Sequence, residues 1–94
     1  MNIQQVNQEE GGKFFAEKDN RQLALMIYRW APNGNMVIEH TEVDPSLKGQ
    51  GVGFELVSAA VKQARAQQFK IQAECPYAAA VLKKTTAFHD VLDS

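Results

Sequence analysis

The chain has 94 residues, a formal net charge of −1, 45% hydrophobic and 22% charged residues, and one cysteine. That length predicts one domain, residues 1–94, with a small core, and the composition excludes a disordered chain. Near-neutral charge argues against a dedicated nucleic-acid binder, which carries a strongly basic face, and a lone cysteine excludes an intrachain disulfide.

The first residues, Met1-Asn2-Ile3-Gln4-Gln5, lack the basic start and apolar run of a signal peptide, so a cytoplasmic location is expected. The longest apolar run, Leu23 to Tyr28, is far too short to cross a bilayer, so no membrane partner is expected. Glu9-Glu10-Gly11-Gly12 and Lys18-Asp19-Asn20 read as turns between short strands, one ahead of Glu9 and one over Lys13–Glu17 between the two turns. Leu23–Trp30 is apolar on both alternations, which predicts a central strand covered on both faces. Pro32-Asn33-Gly34-Asn35 then predicts a hairpin turn into an antiparallel strand over Met36–Glu42. After Asp44-Pro45 the period changes. Val52, Leu56, Val57, Ala60, Val61 and Ala64 recur at helical spacing, so a helix is predicted over Gly51–Gln67. Lys70–Ala73 reads as a short strand, paired in parallel through the helical crossover. Pro76 suits the first turn of a second helix ending near Lys83 or Lys84. Phe88–Leu92 reads either as a short strand or as an irregular cap. The predicted order is β-β-β-β-α-β-α, an α/β (α+β) fold.

Between the fourth strand and the long helix lies Val43-Asp44-Pro45-Ser46-Leu47-Lys48-Gly49-Gln50-Gly51-Val52-Gly53. Glycine admits positive φ and a close ligand, and the first turn of a helix offers unpaired N–H groups at the positive end of its dipole. Together they make a cradle for phosphate oxygens, with Lys48 as a point charge beside it. Plain turn chemistry is the competing explanation of the glycines. The spacing excludes a P-loop, which needs Lys-Ser/Thr after the glycines, and a Gly-x-Gly-x-x-Gly dinucleotide fingerprint.

Lys48-Gly49-Gln50-Gly51-Val52-Gly53, opening a helix after a strand, resembles the Gln/Arg-x-x-Gly-x-Gly/Ala signature of GNAT acetyltransferases, with Lys at the first position. Ile38-Glu39-His40-Thr41 and the single cysteine after the fifth strand resemble the compact, single-domain YjdJ-type branch of that family. The resemblance implies a GNAT fold: a twisted, mostly antiparallel sheet, a cofactor-binding helix after the fourth strand and a second C-terminal helix. It implies acetyl-CoA as cosubstrate, bound by Val43, Lys48, Gly49, Gln50, Gly51, Val52 and Gly53, with the pyrophosphate on the amides of Gln50 to Gly53. It also implies direct acetyl transfer to an amine of a small molecule, protein or peptide. Full-sized members place a Tyr late in the last helix, where this chain has Leu82-Lys83-Lys84-Thr85; Tyr77 stands at the start of that helix instead. A non-catalytic acyl-CoA-binding or sensing module is therefore the alternative function, and a phosphate-binding structural module a third.

Cys75 and His40 are the candidate catalytic residues. A thiol at a helix N-terminus can have a depressed pKa, and the resemblance places Cys75 near the cofactor sulfur; a small buried hydrophobe is its other reading. Histidine is the side chain best suited to take a proton from an acceptor amine near neutral pH, and alternation puts His40 on the face of Met36 and Ile38; a hydrogen-bonded structural histidine is its other reading. His89 suits a surface or capping role. Tyr28 and Trp30 read as core aromatics or as groove lining, and Lys83-Lys84 as a solvated helix end or as partners of the 3′-phosphate. His40, Cys75 and His89 are not at metal-ligand spacing, so no metal is expected.

Overall fold

In the computed structural model, which describes residues 2–93, five strands form one sheet in the order β1-β2-β3-β4-β5. They are β1 (Ile3–Asn7), β2 (Gly11–Lys18), β3 (Arg21–Trp30), β4 (Met36–Val43) and β5 (Ile71–Ala73). The first four pair as an antiparallel meander, and β5 joins β4 in parallel through the crossover helix α1 (Val52–Gln67). A second helix, α2 (Pro76–Lys84), follows β5.

The predicted order holds, with differences at the edges that have physical causes. Gly11 and Gly12 belong to β2 rather than to a turn. A Cβ on Gly11 would strike the Tyr28 carbonyl oxygen, and one on Gly12 the Val6 carbonyl oxygen, so these glycines serve close strand approach. The Pro32–Asn35 turn closes as expected, with Ala31 N–H donating to Asn35 O (2.8 Å) and Gly34 at φ 89°. The ambiguous tail is a cap: Thr86–Val91 is a 3₁₀ turn, and Leu92 makes one parallel bridge to Ile71.

The expectation that β3 is covered on both faces is corrected. Ala24, Met26 and Tyr28 are buried, while Ile27 and Arg29 on the other face are exposed. Both helices pack on the same side of the sheet, where one core joins Phe14, Met26, Ile38, Leu56, Val61 and Leu82. With both crossover-side helices committed there, no described element is left to cover the opposite face. Val37 is buried on that face at 2% exposure, directly opposite Arg29 and Gln72. The Arg29 guanidinium holds Glu39 (2.9 Å) and Glu74 (2.8 Å) there.

Tyr28 and Trp30 are structural. Tyr28, 2% exposed, accepts from Gln5 Nε2 and donates to Asn7 Oδ1, both at 2.8 Å, and Trp30 Nε1 donates to the same Asn7 oxygen at 3.0 Å. Gln5 also reaches Gln63 on α1 (2.9 Å), tying edge strand β1 to the helix. Satisfying a buried phenol in this way avoids its desolvation penalty.

Candidate functional site

The site starts from a break in register. Strand β4 pairs with β5 only over Met36–Ile38, although β4 continues to Val43. Beyond that point the Glu74 and Cys75 N–H groups both turn to the Ile38 carbonyl oxygen (2.8 and 3.2 Å) and the chain leaves for α2. The edge of β4 that faces away from β3 therefore has no strand partner over its last five positions, 39–43.

A β-bulge lies in the same stretch. Tyr28 pairs with Ile38 and Ile27 with His40, so Glu39 is the extra residue. One inserted residue reverses the alternation that follows. This corrects the expected placement of His40: it does not share the face of Met36 and Ile38 but lies on the open face with Ile27, 55% exposed at its side chain and 3.6 Å from Glu42. Thr41, paired with Met26, takes the helix-facing side instead.

The loop after β4 is built rigidly. Asp44 caps a 3₁₀ turn over Pro45–Leu47 by accepting from the Ser46 N–H (2.9 Å), which holds its carboxyl below the usual carboxylate range. Leu47 is buried and anchors the turn. Gly49 (φ 82°) and Gly51 (φ 73°) then take the left-handed conformation that glycine adopts without strain. Gly51 is the N-cap of α1, and the first helical bond runs from Glu55 N–H to Gly51 O (3.0 Å). Among the described residues, no backbone carbonyl takes the N–H of Gly51, Val52, Gly53 or Phe54. The Gln50 N–H, in contrast, is used by the turn, donating to Leu47 O at 3.1 Å. The unpaired amides thus run from 51 to 54, one residue later than the motif suggests. Phe54 stacks on Phe88 (ring centroids 5.5 Å apart), which pins this first turn to the tail.

These elements enclose a groove of about 470 Å³. Its walls are Thr41 and Val43 of β4, Leu47, Lys48 and Gly49 of the loop, Gly51, Val52 and Gly53 of the helix start, and Tyr77 of α2. Lys48 is the only charged residue among these. Of the sequence-predicted positions, the structure brings Val43, Lys48, Gly49, Gly51, Val52 and Gly53 together. Gln50 stays outside the lining, its side chain turned back to the Ser46 carbonyl oxygen.

Cys75 sits behind Thr41, 6% exposed, with Sγ 3.4 Å from Thr41 Oγ1. It is the N-cap residue of α2. Burial pushes the thiol up; the Thr41 hydroxyl and the Ala78 and Tyr77 amides outweigh it and hold it below its ordinary value. No capping bond of strict geometry forms, so the amides act as oriented dipoles facing the sulfur. Cys75 and His40 are not brought together, because the bulge turns His40 to the open face, away from the helix-side core that holds Cys75. Sequence reasoning did not assign Thr41, Leu47 and Tyr77 to the lining of this groove. Thr41 was hidden by the bulge, whereas Pro76 at the first position of α2 already placed Tyr77 in its opening turn.

The remaining candidates fall outside the groove. His89 Nε2 donates to the Lys83 carbonyl oxygen (2.7 Å) and caps α2, and neither Tyr28, Trp30 nor Lys84 lines the cavity. Among the described residues no group of three His, Cys, Asp or Glu side chains is placed to hold a metal, and no helix is long and apolar enough to cross a membrane.

A family model described as GCN5-related N-acetyl-transferase matches residues 13–91. The fold is similar to the solution structure of a GCN5-like protein from Staphylococcus aureus, with 36% identity, a TM-score of 0.77, and 99% of this chain and 90% of that chain covered. It is also similar in fold to an aminoglycoside acetyltransferase from an uncultured soil metagenomic sample, in complex with sisomicin (19% identity, TM-score 0.64, 85% of this chain and 59% of that chain). A Bacillus anthracis structure in complex with acetyl coenzyme A shares the fold as well (22% identity, TM-score 0.60, 72% of this chain and 40% of that chain). No curated protein matches the chain. With its family model covering most of the sequence and a near full-length structural relative, this chain belongs to the GCN5-related N-acetyltransferase family.

Proposed function

We propose that this chain, acting as one domain over residues 1–94, transfers an acetyl group from acetyl-CoA to an amine of a small molecule, protein or peptide. The observation that carries the reading is the meeting, in one groove, of two unmet sets of backbone groups: the amides of Gly51 to Gly53 and the free edge of β4 at Thr41 and Val43. Helix-start amides with Lys48 beside them suit a diphosphate. A bare strand edge suits a linear, peptide-like arm that adds itself as a further strand. Coenzyme A has both features in one molecule, and its acetyl thioester supplies the activated acyl group.

The chain's own residues would then work from two sides of the slot left where β5 departs from β4. On the helix side, Val43 and Thr41 orient the arm, and the Cys75 Sγ–H, made more acidic than usual, gives a proton to the departing sulfur. On the open side, the His40 imidazole, next to Glu42, takes the proton released by the attacking amine. The new N–C bond forms as the C–S bond breaks, and both protons are accounted for. An acceptor can approach from this side because no described helix covers that face of the sheet.

Calorimetric titration with CoA and thiol release from acetyl-CoA over a panel of amines test the reading. Saturable CoA binding, with release that falls in His40→Ala and Cys75→Ala, supports it. Binding without release for any amine returns the chain to an acyl-CoA-binding module. Absence of CoA binding by the wild-type protein overturns the proposal.

A further inference from the structure

Tyr77 lies in the first turn of α2 and is 45% exposed. Its ring rests on Gly53, the second residue of α1: a Cβ built on Gly53 would come within 2.5 Å of the hydroxyl oxygen, 2.8 Å of Cζ and 2.9 Å of Cε2. A Cβ on Gly49 or Gly51 would meet nothing within 4 Å. Those two glycines answer to their positive φ; Gly53 answers to the tyrosine. The chain thus keeps a poor helix former in its longest helix to seat one phenol at the mouth of that helix. Among the described residues the Tyr77 hydroxyl has no hydrogen-bond partner. With no protein partner to give up, it is held beside the unpaired amides at the start of α1 and on the wall of the groove, free to donate to a ligand there.

We propose that Tyr77 is a cofactor-binding residue: its hydroxyl donates a hydrogen bond to the diphosphate held by the first turn of α1, and its ring screens that contact from water. This rests on the reading of the groove as the coenzyme site. A phenol can donate or accept, so the oxygen tolerates the neighbouring amides in the free protein and turns its hydrogen to an anion when one arrives. Charge-assisted bonds of this kind are stronger than neutral ones and gain from exclusion of water. The ring also couples the two helix starts, because Tyr77 belongs to the turn that faces the Cys75 sulfur while touching the turn that faces the phosphates.

The test uses Tyr77→Phe, which removes only an oxygen without a protein partner, so the thermal midpoint should stay that of the wild type. Dissociation constants are measured for CoA and for S-acetylpantetheine, which has the arm but no diphosphate. CoA binding should weaken about tenfold or more in Tyr77→Phe, the usual loss of a hydrogen bond to a charged group, while S-acetylpantetheine binding stays unchanged. Tyr77→Ala should weaken CoA further, through loss of the ring. Equal CoA affinity in Tyr77→Phe and wild type overturns the inference, as does a parallel loss for both ligands. Failure of the wild type to bind CoA is a separate result, which removes the coenzyme reading and this inference with it.

Discussion

Replacing Gly53 with alanine separates what this position does for stability from what it does for the groove. Alanine gains up to about 1 kcal/mol over glycine within a helix. Against that, the new methyl would lie 2.5–2.9 Å from three atoms of Tyr77 and must displace the ring. Full burial of an aromatic side chain is worth about 1.5–3 kcal/mol, and at 45% exposure only about half of that, ~1 kcal/mol, is at stake here. The two terms nearly cancel, so Gly53→Ala should shift the thermal midpoint by less than about 5 °C in a domain of this size. In a Tyr77→Ala background the clash is gone and only the helix gain remains, so Gly53→Ala should there stabilise by up to about 1 kcal/mol. A double-mutant cycle by urea denaturation should thus show a coupling of about 1 kcal/mol between the two positions. CoA titration of Gly53→Ala alone should show weakened binding, because the displaced phenol no longer stands at the α1 amides. Additivity within about 0.3 kcal/mol, together with unchanged CoA binding, would refute the idea that Gly53 is small for the sake of Tyr77.

Three further outcomes follow from the geometry. The Cys75 thiol should ionise below the 9.0 of an unperturbed thiol, read from thiolate ultraviolet absorbance against pH; Thr41→Val should move the inflection upward, and an unmoved inflection would detach the hydroxyl from the sulfur. Tyr28→Phe should cost about 1 kcal/mol, the usual net worth of a hydrogen bond, because Gln5 keeps Gln63 and Asn7 keeps Trp30 as partners; a loss above about 3 kcal/mol in urea unfolding would mean those partners do not hold. Stability should also fall in acid. Asp44 (held by the Ser46 amide), Glu74 (by Arg29) and Asp90 (by Arg65) all have lowered pKa values. Depressed carboxylates stabilise fully above their unfolded-state values, and this contribution is lost as pH drops through the folded-state ones, so the urea midpoint should decline from about pH 6 to about pH 3. A flat midpoint across that range would contradict the three pairings.

The sequence by itself determined the order of elements, the Asn33-Gly34 turn, the long helix and the glycine loop ahead of it. Each is written in near neighbours: the hydrophobic period from Val52 to Ala64, the turn residues, and a run of glycines at a helix start. The tertiary structure alone decided which face each residue serves. Register is a property of two strands, and the extra residue Glu39 in β4 exchanged the places of His40 and Thr41 without any sign in the local alternation. The same holds for coverage. Leu23–Trp30 is apolar enough to be buried on both sides, yet both helices land on one side and leave Ile27 and Arg29 open. It holds for the groove as well, since Tyr77 and Gly53 are distant in sequence and meet only because β5 brings the start of α2 beside the start of α1. Local patterns specify elements because their period lies within the chain; a site depends on which elements become neighbours, and packing settles that.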